Sequence, residues 1–125
     1  MMFMFFAAAV AGDASHWPLS RDVYDTCAEV VAKDLESSGE PADTIAGVAL
    51  MKCEPALEPA YNDYIAWFRQ QPEVASFEAE GRNYVNYNEV KPQILEKFRS
   101  NAREKAVAAV VEIRAAKAAK KKNND

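Results

Sequence analysis

The chain has 125 residues, half of them apolar, and a formal net charge of −4. This length suits one domain and is sufficient for a hydrophobic core. Only 4 glycines are present, and because sheet proteins need glycine at many turns, the composition favours long helices. Two cysteines, one histidine and no glycine-rich phosphate loop argue against zinc, dithiol-redox and nucleotide-binding motifs.

An uncharged and mostly apolar run occupies residues 1–11. Its length matches the hydrophobic region of a secretory signal and is shorter than the ~20 residues that cross a bilayer. Two small-residue cleavage patterns follow, Ala9-Val10-Ala11 and Gly12-Asp13-Ala14. We therefore interpret residues 1–14 as a signal-peptide-like leader and expect the mature chain to begin at Gly12 or Ser15. No Lys or Arg precedes the run, and a buried N-terminal helix of a cytosolic protein is the alternative.

Apolar residues then recur at helical spacing on both sides of a short polar segment. Ser20 is predicted as the N-cap of the first helix, and Gly39 as the left-handed residue that ends it. Pro41 suits the first position of the second helix. The two predicted apolar stripes are Val23, Cys27, Val30, Val31 and Leu35 in the first helix, and Ile45, Ala46, Ala49, Leu50 and Cys53 in the second.

Cys27 and Cys53 lie about 12 and about 13 residues from the predicted turn. In an antiparallel helical hairpin, equal distances from the turn place two residues at equal heights. We therefore predict a structural disulfide between them, as expected for an exported protein. A redox dithiol would need a Cys-x-x-Cys pair or a cationic environment, and neither is present in the sequence.

Prolines divide the rest of the chain, because proline breaks or kinks a helix interior. A break is predicted between Glu54 and Glu58, followed by helices over residues 59–71 and 73–80. A polar loop over residues 82–88 precedes a long last helix that begins near residues 89–92. The predicted fold is an all-α, compact bundle of about four helices with a disulfide-stapled hairpin. Its helical domain covers residues 15–118, and a basic disordered tail covers residues 119–125.

Aromatic residues are concentrated in the second half of the chain. They form either the core under the alanine-rich last helix or a ligand pocket or protein-binding patch, since Tyr and Trp are common in both settings. The aromatic cluster contains Tyr61, Tyr64, Trp67, Phe68, Phe77, Tyr84 and Tyr87. The candidates for contact with a partner are Tyr61, Tyr64, Trp67, Tyr84 and Tyr87.

Charge is unevenly distributed along the chain. Residues 1–96 carry 6 Lys and Arg against 16 Asp and Glu, and residues 97–125 carry 9 against 3. A basic tail can reach nucleic acid or anionic lipid, or it can simply solvate the end of a helix. His16 has no evident catalytic partner, and a solvated face is the simpler interpretation of the acidic series Asp22, Asp25 and Glu29.

These patterns predict a small exported protein, periplasmic or secreted, that binds a protein or an envelope component without catalysis. We expect no catalytic residues, no metal site, no cofactor, no nucleotide and no transmembrane span. Contact with nucleic acid is not favoured. A cytosolic helical adaptor whose basic tail contacts nucleic acid is the alternative function.

Overall fold

Helices form all of the regular secondary structure across residues 12–124, the part of the chain that the computed structural model describes. The α-helices in chain order are α1 Leu19–Leu35, α2 Ala42–Cys53, α3 Leu57–Arg69, α4 Pro72–Glu78 and α5 Tyr87–Asn124. Short 3-10 helices occupy Ala14–His16, Glu36–Ser38 and Glu54–Ala56. Four α-helices have 12 or more residues and α4 has 7. The predicted all-α fold of about four helices is therefore confirmed.

Contacts between residues divide this part of the chain into two units. The first, which we call the aromatic unit, contains residues 12–23 and 55–98. The second, which we call the disulfide unit, contains residues 24–54 and 99–124. Both α1 and α5 contribute residues to each unit. Because these boundaries fall inside continuous helices, no linker in the sequence marks them.

The disulfide unit contains the predicted hairpin of α1 and α2. Cys27 and Cys53 are bonded, and their Cα atoms lie 5.9 Å apart, within the usual range for a disulfide. Gly39 turns the chain with a φ of 79°, and its N–H donates to the Glu36 carbonyl. Glycine adopts this left-handed conformation without the clash that a Cβ would bring. Both the disulfide and the glycine C-cap are confirmed.

Small side chains dominate the core of the disulfide unit. Its buried apolar residues are Tyr24, Ala28, Ala32, Ile45, Ala46, Ala49, Leu50, Cys53, Ala102, Ala106, Ala109 and Val110. The predicted stripe on α1 was wrong in part, because Val23 and Val30 are exposed. Tyr24 and the two alanines of α1 are buried instead, which shifts the buried face by one residue, or about 100° around the helix.

Most helix ends differ from the sequence prediction by one to three residues, and the ends of α1 and α5 show the largest consequences. Helix α1 begins at Leu19, so Ser20 lies inside the helix and is not its N-cap. Helix α5 begins at Tyr87, before the predicted start, and continues to Asn124. It therefore includes most of the segment 119–125 that the sequence predicts to be disordered. This segment begins with Ala119 and three lysines, and alanine and lysine are strong helix formers.

The predicted leader falls mostly outside the described residues. The apolar run of residues 1–11, with its Ala9-Val10-Ala11 pattern, lies wholly outside them. Gly12, Asp13 and Ala14 lie inside, and the 3-10 helix begins at Ala14. No helix in the described part of the chain is long and apolar enough to span a membrane.

Candidate functional site: an aromatic cluster and its groove

In the structure, Trp17 and Phe98 join the rings of the predicted aromatic cluster, and Trp17 lies at the centre of the first group of ring contacts. Its ring centroid lies 4.9 Å from that of Tyr64 and 5.7 Å from that of Phe98. Tyr64 meets Phe98 edge-on at 5.9 Å, and Trp67 lies 6.0 Å from Tyr64. Offset and edge-on ring pairs of this kind each contribute about 0.5–1.5 kcal/mol beyond the burial of area. The segment before α1 is thereby held against α3.

The second half of the cluster joins α3 to α4 and to the loop that follows α4. Phe68 lies 6.2 Å from Tyr64 and therefore connects the two halves. Its ring also meets Tyr84 at 6.0 Å and Tyr87 at 6.4 Å, edge-on in both cases. Phe77 of α4 packs edge-on against Tyr84 at 5.5 Å. The rings thus form one connected series within the aromatic unit.

Glu78 fixes the loop between α4 and α5. One of its carboxylate oxygens accepts from the Tyr84 N–H at 2.9 Å and from the Tyr87 hydroxyl at 2.6 Å. The other accepts from Nε of Arg69 at 2.8 Å. These donors, led by the Tyr84 N–H, lower the pKa of Glu78 to about 2. Burial, and then the bond to Glu78, raise the pKa of Tyr87 to about 12.

Cationic side chains lie over three tyrosine and phenylalanine rings of the aromatic unit. The Arg69 guanidinium lies 4.5 Å from the Tyr87 ring centroid, and that of Arg82 lies 4.7 Å from Phe77. Lys91 lies 4.9 Å from the Tyr61 ring and also donates to the Glu58 carboxylate. Such contacts contribute about 0.5–1 kcal/mol each at exposed sites. They add to the contacts that hold these three rings in place.

A groove of about 230 Å³ opens beside the cluster. It lies within the aromatic unit, between α3 and the first turns of α5. Almost all of its lining is apolar or aromatic, and Gln93 supplies an amide. The lining residues are Tyr64, Ile65, Phe68, Val85, Tyr87, Val90, Gln93 and Ile94. A concave apolar surface with few polar groups is the usual form of a binding site.

The five aromatic residues predicted to contact a partner differ in how far they are exposed. Tyr61 is buried, while Trp67 and Tyr84 are each 37% exposed. Tyr64 and Tyr87 are half-buried and line the groove. Four of the five therefore belong to the connected rings around the groove, whereas Tyr61 lies in the core. Their contact with a partner stays a prediction.

Trp17, the central ring, is absent from the cluster predicted from the sequence. It lies beside Pro18, far from the other aromatic residues in the chain. Phe98 is also absent from the predicted cluster, and it lies in the last helix. The groove residues Val85 and Gln93 carried no signal of their own. A tryptophan beside a proline in a short segment was the one indication that this segment packs against α3.

The basic residues of α5 lie close to acceptors in the disulfide unit. Five of the nine Lys and Arg residues in the segment 97–125 donate to the α1–α2 hairpin. The pairs are Arg99 with Glu54, Arg103 with the Asp43 carbonyl, Lys105 with Asp25, Arg114 with the Glu36 and Glu40 carbonyls, and Lys117 with Glu36. The basic end of the chain therefore balances the acidic hairpin.

The other polar residues considered in the sequence, His16 and the acidic series of α1, do not form a common site. His16 is exposed and lies 3.6 Å from the Asp13 carboxylate. Asp22 is exposed beside Arg21, while Asp25 is buried and paired with Lys105. Across residues 12–124 the structure contains no group of three or more His, Cys, Asp or Glu side chains arranged to hold a metal ion.

Comparison with known proteins identifies no relative. The chain matches no protein-family model, no curated protein and no solved structure. The assignment of a function therefore depends on the geometry described above.

Proposed function

We propose that this protein is exported, to the periplasm or outside the cell, and binds a partner protein there without catalysing a reaction. The observation that carries the proposal is the groove beside the aromatic cluster. Trp67 and Tyr84 are well exposed and adjoin the groove residues Tyr64 and Phe68. Exposed aromatic residues around a concave apolar surface are typical of protein-binding sites.

The size of the groove favours a side chain as its occupant. Small-molecule pockets usually enclose about 300–1,000 Å³, and this groove is smaller, at about 230 Å³. A single large apolar side chain from a partner would fill it as an anchor residue. We expect the anchor to be aromatic or branched aliphatic, because aliphatic side chains and aromatic rings make up most of the lining, with the Gln93 amide and two tyrosine hydroxyls as its polar groups.

The net charge of the aromatic unit indicates which residues of the partner should flank the anchor. Its residues 12–23 and 55–98 carry 9 Asp and Glu against 5 Lys and Arg. Opposite charges on two partners speed their association and select against wrong partners. A partner segment with basic residues beside an apolar anchor therefore fits this surface best.

Export is supported by two independent features. The apolar run of residues 1–11 has the length of a signal hydrophobic region. The bond between Cys27 and Cys53 joins two helices in an otherwise alanine-rich unit, and structural disulfides persist in oxidising compartments. The alternative, a cytosolic adaptor for nucleic acid, is less favoured because five of its nine C-terminal cations already have acceptors within the disulfide unit.

Site-specific photocrosslinking in the producing cells tests the groove. A photoreactive phenylalanine at Gln93, in the groove, should capture a partner protein, and the same group at the exposed Val111 of α5 should not. The substitution Val90→Arg places a charge in the groove and should abolish the crosslink. Val111→Arg is the matched control and should preserve it. Equal capture at both positions, or capture that survives Val90→Arg, would contradict the proposal.

A further inference from the structure

Gly12 is closely packed against α3. Its φ is 72°, in the left-handed region that favours glycine. A Cβ added to Gly12 would lie 2.3 Å from the carbonyl oxygen of Asn62, which is far inside van der Waals contact. Only glycine therefore fits here without movement of the backbone. The small size of this residue has a structural reason that is independent of recognition by a peptidase.

Asp13 is also part of the folded unit. Its N–H donates to Oδ1 of Asp63 at 2.7 Å, and Asp63 is only 7% exposed. The Asp13 carboxylate accepts from the Ser15 N–H and so caps the 3-10 helix Ala14–His16. Loss of Asp13 would remove a donor from a buried carboxylate, and a buried acceptor left without its partner is costly.

These contacts distinguish the two cleavage patterns in the leader. Cleavage after Ala14 would remove Gly12 and Asp13, and with them the packing on Asn62 and the bond to Asp63. Cleavage after Ala11 would retain both contacts. Ala9-Val10-Ala11 supplies the small residues that a signal peptidase requires, directly after the apolar run.

We infer that the leader is removed at the Ala11–Gly12 peptide bond, so that the mature chain begins at Gly12. In this hydrolysis the C–N bond breaks as water adds across it. Ala11 leaves with the new carboxylate, and Gly12 keeps the new amino group. The inference depends on the proposed export and adds to it the site of processing.

The mature N-terminus can be read directly from the natural protein. We expect intact-mass analysis and N-terminal sequencing of protein from the envelope or medium of the producing cells to show a start at Gly12. A start at Ser15, or at any other residue after the apolar run, would overturn this inference and leave export in place. An unprocessed chain that begins within residues 1–11 would overturn both.

A second measurement tests the structural reason alone. Oxidised chains of residues 12–125 and 15–125 should differ in stability, with the shorter chain melting lower by roughly 4–8 °C for each net kcal/mol lost. Asp63→Asn should lower the Tm of the longer chain more than that of the shorter one, because only the longer chain has the Asp13 donor. Equal melting of the two chains would show that residues 12–14 do not stabilise the fold and would overturn the inference.

Discussion

The Lys117 ammonium donates to the carboxylate of Glu36, 81 positions earlier in the chain. Glu36 is only 6% exposed and also lies 3.6 Å from Arg114. The bond from Lys117 is the main cause of the lowered pKa of Glu36. This ion pair fastens the basic segment of α5 to the end of α1 within the disulfide unit. It therefore marks how far along α5 the stabilising contacts extend.

Replacement of Lys117 should destabilise the protein more than replacement of a later lysine. Lys117→Ala leaves a buried carboxylate with fewer donors, whereas Lys120→Ala changes an exposed residue. We expect a lower Tm for the first variant and a nearly unchanged Tm for the second, both by circular dichroism. A chain truncated after Lys117 should melt within a few degrees of the parent, because the residues it loses are exposed. Equal effects of the two substitutions would contradict this account.

The same ion pair should depend on pH in a defined direction. The folded pKa of Glu36 is lower than its ordinary value of 4.5, so its contribution to stability is complete above that value and decreases as pH falls through the folded pKa. The Tm difference between the parent and Lys117→Ala should therefore shrink on acidification. A difference that grows at low pH would be inconsistent with a charged Glu36.

Removal of the disulfide should weaken the protein strongly. The pair Cys27→Ala and Cys53→Ala avoids the burial of hydroxyl groups that serine would introduce, since Cys53 is buried. We expect the free energy of unfolding to fall by about 2–5 kcal/mol, the usual range for a native bridge. Urea denaturation of the parent and the double variant measures it, with the m-value checked for a change in the denatured state. Free thiols in the parent, purified without reductant, would refute the bridge.

Trp17 should contribute more to stability than Trp67. Trp17→Ala removes a ring that contacts Tyr64 and Phe98, and we expect a loss toward the lower end of the ~3–5 kcal/mol range for a buried tryptophan. Trp67→Ala is the matched control and should cost less, because this ring is more exposed. Unfolding by urea, followed by circular dichroism, compares them. Under the proposed function, Trp67→Ala should lower the yield of partner crosslinked at Gln93 at a temperature where the variant is still folded.

Tyr87 should ionise unusually late. Burial, and then the bond that its hydroxyl donates to Glu78, raise its pKa from 10.0 to about 12. The resulting stability is complete below the ordinary pKa of 10.0 and is lost as pH rises from there through the folded pKa. Ultraviolet titration of the parent should show a late ionisation step that is absent from Tyr87→Phe. Glu78→Gln should bring this step to lower pH. Glu73→Gln, which alters a carboxylate bonded to Tyr84, is the control and should leave it unchanged.

The sequence was sufficient to predict the helices and the disulfide, because both follow from local spacing. Pro55, Gly39 and the two cysteines each act through neighbouring residues or through their distance from one turn. The face that α1 buries could not be predicted in the same way. Val23 and Val30 are more apolar than Ala28, yet the alanine is buried because the core of this unit accommodates small side chains.

The candidate site was less predictable than the fold. The role of Trp17 depends on the docking of a short segment against α3, which no periodicity reveals. The groove depends on the loop that Glu78 holds, and that loop is polar in sequence. Tyr84 and Tyr87 were found by composition alone, and composition does not separate a core ring such as Tyr61 from a ring beside a groove.

The two units alternate along the chain, and this alternation sets the order in which all the residues of each unit have been synthesised. During synthesis from the N-terminus, Cys27 and Cys53 are both present before any residue of α5 has been added. The aromatic unit requires residues up to 98, and the buried part of the disulfide unit requires Val110. The residues of the α1–α2 hairpin, with both cysteines, are therefore all present before the residues of α5 that complete the core around them.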